Sequence, residues 1–241
     1  MYLGDDLLNN KSQIINTIKM VANALADLND ECIYVGGAVT GLYADDPLAP
    51  KVRPTKDIDI VLEIVSLIEL ERLRQKLAER NIRFAQEENT VCRFKYKHIL
   101  IDVMSTKEVG WAPANQWFKG GFDNAEIYHL DDVKIKIMPF VYFLASKFSA
   151  FRGRGKDPRT SRDFEDIVYV LDNRTTFVKD ILEAAGDVKN FLVEELKLIL
   201  QEPTLQEAVM AHLESETSAE RYEMLVSRIN YIHNNLYPGD I

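Results

Sequence analysis

The stretch from residue 53 to residue 62 constrains the fold most, because it places two carboxylates two residues apart in an apolar, β-branched run. This alternation predicts a strand. Side chains at positions i and i+2 of a strand share one face, so Asp57 and Asp59 are expected side by side, about 6 to 7 Å apart along the backbone. Two like charges on a partly buried face raise each other's pKa or recruit a cation. The pair therefore indicates a cation site, and its oxygen ligands suit Mg²⁺ bound to a phosphate.

A pair of glycines precedes this strand. Gly36 and Gly37 follow the apolar segment 32–35, which predicts a buried strand that runs into a helix. The absence of side chains there lets a phosphate approach the backbone N–H groups closely. The alternative interpretation is an ordinary strand-to-helix turn without a ligand.

A third carboxylate follows in a later strand. Asp102 interrupts the apolar stretch 99–104, and pairing of that stretch with the first acidic strand would bring Asp102 beside Asp57 and Asp59. The alternative is a lone carboxylate that accepts a hydrogen bond from a nearby backbone N–H.

The hydrophobic pattern divides the chain near residue 138 and predicts an α+β fold. We expect residues 1–138 to form a domain with a mixed β-sheet flanked by helices, and residues 139–241 to form a helical domain. The predicted helices of the first domain are 10–28 and 66–80, and its predicted strands are 32–35, 57–62, 91–96, 98–104, 125–129 and 133–137. Residues 45–56 and 105–124 are predicted to be loops. The predicted helices of the second domain are 139–151, 160–173, 175–185, 188–200, 203–214 and 217–234.

Composition excludes some classes of protein. The chain of 241 residues has no run of 18 apolar residues and no secretion signal at its N-terminus, so we expect a cytoplasmic protein with no membrane span. Cys32 and Cys92 lie in apolar segments without metal-ligand spacing, which predicts reduced core thiols.

Charge is unevenly distributed along the chain. The net charge is -9, yet residues 134–162 contain eight Lys and Arg residues against the single acid Asp157. A basic segment in an acidic protein indicates a local anionic ligand, such as a triphosphate or an RNA end. A solvated helix end followed by a basic loop is the alternative.

The glycine pair, the Asp-hydrophobic-Asp strand and the third Asp occur in an order that resembles the nucleotidyltransferase superfamily with the DNA polymerase β-like fold. The resemblance implies that Asp57 and Asp59 hold the Mg²⁺, or Mn²⁺ in its place, that accompanies a nucleoside triphosphate. It also implies that all three carboxylates hold a second ion, which lowers the pKa of the attacking hydroxyl. In-line displacement at a phosphate is served by two such cations, on the attacking and leaving oxygens.

Two other motifs are similar to AbiEii-type nucleotidyltransferases. Lys147-x-x-Ala150-x-Arg152 precedes the helix 162–171, and Arg53-x-Thr55 precedes Asp57. The resemblance implies that Lys147 contacts the triphosphate, and that Asp163 or Asp166 positions Lys147 or assists deprotonation of the acceptor. The predicted catalytic residues are therefore Asp57, Asp59, Asp102, Lys147 and Asp166, and the predicted nucleotide-binding residues are Gly36, Gly37, Arg53, Thr55, Lys147 and Arg152.

These features together predict an Mg²⁺-dependent nucleotidyltransferase, an enzyme that moves a nucleoside monophosphate from a triphosphate onto an acceptor. A tRNA 3′ end is the favoured acceptor, because the basic segment suits RNA and the AbiEii-type proteins include toxins of bacterial toxin-antitoxin systems. A cognate antitoxin is then an expected partner. The alternatives are a protein or aminoglycoside-like acceptor, or a non-catalytic module that binds a nucleotide or a partner.

Overall fold

The structure is a computed structural model that describes residues 5–85, 92–184 and 186–236, with only the backbone described for residues 5–11. The chain forms two compact units. The first unit comprises Met1–Gly41 and Lys51–Pro139, and the second comprises Leu42–Pro50 and Phe140–Ile241.

The first unit is built on a seven-stranded sheet. Its strands are β1 (Cys32–Val35), β2 (Asp57–Leu62), β3 (Arg83–Phe84), β4 (Arg93–Tyr96), β5 (Ile99–Ser105), β6 (Glu126–Leu130) and β7 (Val133–Ile137). The strand order is β3-β4-β5-β2-β1-β7-β6. Strand β2 runs parallel to β5 and antiparallel to β1, so the predicted mixed sheet is confirmed.

Helices accompany this sheet in the first unit. They are α1 (Asp5–Leu25), α2 (Leu67–Glu79) and α3 (Phe118–Asp123), with 3-10 helices at Ala26–Glu31 and Gly37–Leu42. Helix α2 begins where the Ser66 side chain accepts a hydrogen bond from the backbone N–H of Glu69, which satisfies one of the free donors of its first turn. Its side chains Leu70, Leu73 and Leu77 recur at helical spacing and are buried.

A tight hairpin joins β4 to β5 and fixes the register between them. Only two residues, Lys97 and His98, separate the strands, and Lys97 has the positive φ of 55° that a two-residue hairpin turn requires. Tyr96 therefore pairs with Ile99. The predicted strands 91–96 and 98–104 leave one residue between them, and the observed turn is similarly tight. Val91 of the first of these predicted strands lies outside the described residues.

The second unit is helical. Its helices are α4 (Phe140–Arg154), α5 (Arg162–Asn173), α6 (Phe177–Glu183), α7 (Gly186–Gln201), α8 (Pro203–His212) and α9 (Ser218–Leu236), with a 3-10 helix at Pro158–Thr160. Each of the six predicted helices has its counterpart, with ends that differ by a few residues. Helix α4 continues through Gly153, where a break was predicted, and ends at Arg154.

The segment Leu42–Pro50 belongs to the second unit, although it precedes β2 in the chain. The backbone N–H groups of Asp45 and Asp46 donate to the carbonyl oxygen of Asn173 at 3.1 and 3.2 Å. The Tyr169 hydroxyl donates to the carbonyl oxygen of Pro50 at 3.0 Å. These contacts explain how a proline-bearing stretch becomes ordered, which its composition alone does not indicate.

Two short elements differ from the prediction. Helix α3 lies in the predicted loop 105–124, and strand β3 was not predicted. The six residues of α3 include two glycines, which lower helix propensity. Strand β3 has only two residues, too few for an alternating pattern to be recognised.

Both cysteines lie in the core of the first unit. Cys32 and Cys92 are free and buried, in agreement with the predicted core thiols. Burial raises the pKa of the Cys32 thiol to about 12 and that of the Cys92 thiol to about 11, because the thiolate loses its hydration. Within the described part of the chain, no helix combines the length and the apolar character needed to cross a membrane.

Candidate active site

Three carboxylates lie on one face of the sheet. Strands β2 and β5 run parallel in a register that places Asp59 beside Asp102 and Asp57 beside Leu100. Side chains of paired neighbours point to the same face, and residues two apart on one strand do so as well. The side chain of Asp57 is 30% exposed and that of Asp102 is 13% exposed. The sequence predicted that these three carboxylates share one sheet face, and solvent reaches that face.

Gly36 makes room for one of these carboxylates. Its φ of 71° lies in the left-handed region, and a Cβ atom built on it would lie 1.8 Å from the Oδ2 atom of Asp59. No residue with a side chain fits there without displacing Asp59. The missing side chain thus lets the Asp59 carboxylate lie against the backbone at the end of β1. The sequence pattern had predicted that a phosphate, and not a carboxylate, would occupy this space.

Gly37 brings two further predicted residues to the same place. A Cβ atom on Gly37 would lie 2.8 Å from Nη2 of Arg53 and 3.4 Å from Oγ1 of Thr55. The Thr55 hydroxyl also donates to Oδ1 of Asp57 at 3.0 Å. The predicted nucleotide-binding residues of this unit therefore lie beside the carboxylates. They are Gly36, Gly37, Arg53 and Thr55. The helix that Gly37 opens is a 3-10 helix.

An arginine that the sequence analysis did not single out completes the cluster. Arg93 of β4 pairs directly with Asp102 of β5. Its Nε and Nη2 atoms donate to Oδ1 and Oδ2 of Asp102, both at 2.7 Å, and Nη2 also donates to Oδ2 of Asp57 at 3.0 Å. The signal was present in the sequence. Counting outward from a two-residue turn at Lys97 and His98 places position 93 opposite position 102.

The donor chemistry of this face fits a hard divalent cation in part. Asp57 and Asp59 supply carboxylate oxygens, the ligands that Mg²⁺ prefers. Both oxygens of Asp102, however, accept hydrogen bonds from Arg93. Among the described residues, no three His, Cys, Asp or Glu side chains form a cluster arranged to hold a metal ion. Asp57 and Asp59 would hold the cation, and a role for Asp102 as a third ligand stays a prediction.

The second unit contains a separate buried cluster of charge. Nζ of Lys147 lies 2.6 Å from Oδ2 of Asp166 and 3.8 Å from Oδ1 of Asp163. Arg154 forms an ion pair with Asp163. The side chains of Lys147 and Asp166 are 7% and 1% exposed. The contact between Asp166 and Lys147 is the one that the positioning role predicts, whereas the predicted contact between Lys147 and a triphosphate stays untested.

Four of the eight basic residues in segment 134–162 form ion pairs with carboxylates within the chain. Arg152 lies 2.9 Å from Glu195, and Arg159 lies 2.7 Å from Asp157. The ion pairs of Lys147 and Arg154 add two more. Acids outside the segment, which are Asp163, Asp166 and Glu195, therefore offset part of the positive charge that residues 134–162 show in the sequence. The segment as a whole is a weaker anion site than its sequence indicates.

The mixed sheet, with its acidic β2 strand and accompanying helices, defines a nucleotidyltransferase-like fold. The crystal structure of an antigenic nucleotidyltransferase-like protein from Paracoccidioides brasiliensis matches with a TM-score of 0.51 and 17% identity, covering 83% of this chain and 93% of that one. The solution structure of the antibiotic-resistance factor ANT(2'')-Ia matches with a TM-score of 0.44 and 11% identity, over 94% of this chain and 96% of that one. No family model matches, and no curated protein matches in sequence. The likeness to the Paracoccidioides brasiliensis protein shows the fold of this chain.

Proposed function

We propose that the chain is a nucleotidyltransferase that moves a nucleoside monophosphate from a nucleoside triphosphate onto an acceptor. The observation that carries the proposal is the set of three carboxylates on one solvent-accessible sheet face, next to the space that Gly36 leaves open. A concentration of negative charge of this kind is stabilised by a bound cation. Nucleotides reach such sites as complexes with Mg²⁺.

In the proposed reaction, the acceptor hydroxyl oxygen attacks the α-phosphorus and forms the new O–P bond. The bond between the α-phosphorus and the bridging oxygen breaks, pyrophosphate leaves, and the hydroxyl proton is released to solvent. Asp57 and Asp59 would hold the Mg²⁺, which would supply positive charge to the phosphate oxygens. Thr55 holds the Asp57 carboxylate through its hydrogen bond to Oδ1. Gly36 keeps the Asp59 carboxylate close to the end of β1.

In this unit we assign triphosphate binding to Arg53, because its guanidinium lies against the backbone at Gly37. Planar guanidinium groups match phosphate oxygens with paired hydrogen bonds. The proposal keeps the roles that the AbiEii-type resemblance implies for Lys147, Arg152 and Asp166. The first two contact the triphosphate, and the third positions Lys147.

For the acceptor we favour a nucleic acid end, and specifically a tRNA 3′ end. A row of residues follows Asp57 across the sheet in register, through Leu100 and Lys95 to Arg83. At about 4.8 Å between strands, Lys95 and Arg83 lie roughly 10 and 14 Å from β2 on the face of the carboxylates. Both are exposed, and neither has an ion pair within the described residues.

A groove of about 660 Å³ lies at the same edge of the sheet. Its lining includes the basic side chains Arg74, Arg83, Lys95 and Lys97 and the partly exposed aromatic side chain of Phe84. Positive charge follows a phosphate backbone, and aromatic rings stack on unpaired bases. We therefore favour this edge for holding RNA over segment 134–162, in which four basic residues form ion pairs within the chain.

The test is a transfer assay with the purified full chain, each labelled nucleoside triphosphate, Mg²⁺ and total tRNA. We expect label at the RNA 3′ end, abolished in Asp57→Asn and Asp59→Asn. Label in protein or in an aminoglycoside would reassign the acceptor. Nucleotide binding by calorimetry without transfer would indicate a non-catalytic module, and the absence of both with Mg²⁺ and with Mn²⁺ would falsify the proposal.

The basic row has its own test. Lys95→Glu should raise the KM for tRNA about tenfold and reduce its salt dependence, because one phosphate contact is lost, and should leave the KM for the nucleotide unchanged. Lys107→Glu, at an exposed position outside this row, is the matched control. Equal effects of the two substitutions would contradict a specific RNA track.

The toxin role is the biological extension of this proposal. If tRNA is the acceptor, overproduction should arrest growth, since modified tRNA 3′ ends cannot be aminoacylated. A co-produced cognate antitoxin should relieve the arrest. Normal growth with the active enzyme, against Asp59→Asn as control, would contradict the toxin role without affecting the chemistry.

A further inference from the structure

Another cavity opens beside the carboxylates, and the proposed reaction does not use it. Thr55 and Asp57 line part of this cavity, and its volume is about 210 Å³. A water molecule takes about 30 Å³, so the space holds roughly seven of them. Pockets for whole drug-sized ligands occupy about 300 to 1,000 Å³. The cavity therefore fits one flat ring system better than a whole nucleotide.

Helix α1 forms one wall of this space, which we call the α1 cavity, with Gln13, Ile14 and Thr17. Residues three and four positions apart lie on one face of a helix. The Thr17 hydroxyl donates to the backbone carbonyl of Gln13 at 2.8 Å, and Ile18 and Val21 anchor the next turn in the core. The exposed side-chain amide of Gln13 has no hydrogen bond within the described part of the chain. Its carbonyl oxygen and NH₂ group are therefore available to a ligand.

The rest of the lining combines apolar and basic side chains. Pro54, Ile58 and Ile99 are apolar, whereas Lys56 and His98 are basic and exposed. A largely apolar lining with a few polar groups binds a ligand and fixes its orientation. Of the parts of a nucleotide, the base suits the apolar side chains and the amide of α1, and a phosphate suits the ammonium of Lys56.

The position of the α1 cavity relates it to the acceptor. In the turn between β4 and β5, Lys97 lines the groove at the sheet edge and His98 lines the α1 cavity. In β5, Leu100 lines the groove and Ile99 lines the cavity. Neighbouring residues thus border both spaces, and the cavity continues from there to Asp57. An RNA strand that lies in the groove with its end toward Asp57 would have its last base at this cavity.

We propose that the α1 cavity receives the 3′-terminal base of the acceptor RNA and that Gln13 selects adenine there. A glutamine amide exchanges two hydrogen bonds with N6 and N7 of adenine, a match that the other bases do not offer. A terminal base held beside Asp57 keeps the ribose hydroxyl, the attacking group, near the carboxylates. The inference rests on the proposed function and names the acceptor end that it uses. Gln13 is a specificity-determining residue in this reaction.

The test uses the full chain, Mg²⁺, a labelled nucleoside triphosphate and RNA oligonucleotides that differ only in their terminal base. We expect kcat/KM for the adenosine end to exceed that for each other end about tenfold. An oligonucleotide that ends in 7-deazaadenosine lacks the N7 acceptor, so it should lose most of this advantage. Fluorescence anisotropy of the same RNAs without nucleotide should give the same order of affinities.

Gln13→Ala should remove the preference among the four ends and the difference between adenosine and 7-deazaadenosine. The KM for the nucleoside triphosphate should not change. Because Gln13 is exposed, the substitution should leave the fold intact, which circular dichroism checks. Gln75→Ala, at an exposed position of α2 that lines neither cavity, is the matched control and should retain the preference.

Equal transfer to all four ends by the wild type would overturn the inference and leave the proposed function standing. A preference for adenine that persists in Gln13→Ala would overturn the role of Gln13. If Gln13→Ala changes the choice of nucleoside triphosphate instead, the cavity holds the base of the nucleotide, and the acceptor assignment is wrong. Failure to bind or transfer any nucleotide would overturn the proposed function as well.

Discussion

The two charged clusters of the molecule differ in balance and in burial. In the first unit, three carboxylates lie with two arginines, Arg53 and Arg93, and the side chain of Asp57 is 30% exposed. In the second unit, Lys147 and Arg154 face Asp163 and Asp166, so the cluster is neutral. Excess charge within reach of solvent is stabilised by a bound ligand of opposite charge, whereas balanced charge in the interior is already compensated by its own partners. The first cluster is therefore the better candidate for ligand chemistry.

Removing a carboxylate from the unbalanced cluster should have the largest effect, and it should fall on activity. We expect Asp59→Asn to lower kcat/KM for nucleotide transfer about 10³-fold, because a charge that holds the nucleotide-bound cation is lost. The midpoint of urea denaturation of Asp59→Asn should change no more than it does for a typical surface substitution. The same amide substitution at the exposed Asp123 of α3 is the control. Equal activity losses in the two variants would remove the distinction between the clusters.

The balanced cluster should respond in the opposite manner. Asp166→Asn leaves the buried ammonium of Lys147 without its nearest partner, and we expect the free energy of unfolding to fall by about 3 to 5 kcal/mol. Urea denaturation measures this loss. In the same unit, Glu183→Gln breaks only an exposed pair with Lys179, and should cost no more than about 0.5 kcal/mol. A loss below 1 kcal/mol in Asp166→Asn would show that the cluster is not structural.

Gly36→Ala tests the close contact between the backbone and the unbalanced cluster. A Cβ atom there meets the Asp59 carboxylate, and the φ of 71° disfavours alanine by about 1 to 2 kcal/mol. We expect a stability loss of that size and a larger loss of Mn²⁺ affinity. Gly153→Ala is the control, because its Cβ atom meets nothing within 4 Å and the residue lies in a helix. That variant should be up to about 1 kcal/mol more stable. Unchanged Mn²⁺ affinity in Gly36→Ala would contradict the proposed role of Asp59.

The thiols make the stability of the first unit sensitive to alkaline pH, because both cysteines lie there. Folding raises the thiol pKa from 9.0 to about 12 for Cys32 and about 11 for Cys92. Their contribution to stability is complete below pH 9 and is lost as the pH rises through these values. Each thiol should reduce the free energy of unfolding by about 1.4 kcal/mol per pH unit above pH 9.

Denaturation curves from pH 8 to pH 10.5 measure this slope. Comparison of the wild type with Cys32→Ala and Cys92→Ala isolates each thiol from the tyrosines that titrate in the same range. A slope that neither substitution reduces would show that the thiols ionise equally in the folded and unfolded chains.

Sequence reasoning succeeded where a local pattern determines the structure. The alternation around Asp57 and Asp59 and the apolar stretch around Asp102 predicted a shared sheet face, because strand periodicity fixes the side of each residue. It failed where partners are remote. The Arg152–Glu195 pair spans 43 residues and cancels charge that looks uncompensated in the sequence. The pairing of Arg93 with Asp102 can be predicted from the sequence, since the two-residue turn at Lys97 and His98 fixes the register, but no recognised motif includes Arg93.

The excursion of residues 42–50 into the second unit bears on how the chain folds during synthesis. This segment leaves the ribosome early, yet its partners, the carbonyl oxygen of Asn173 and the hydroxyl of Tyr169, follow only after the whole β-sheet has been made. The helical unit therefore completes its folding only after its own helices have been synthesised, although one of its segments is made before most of the sheet. A fragment that starts at residue 140 lacks that piece, so it should fold less stably than the same helices in the intact protein.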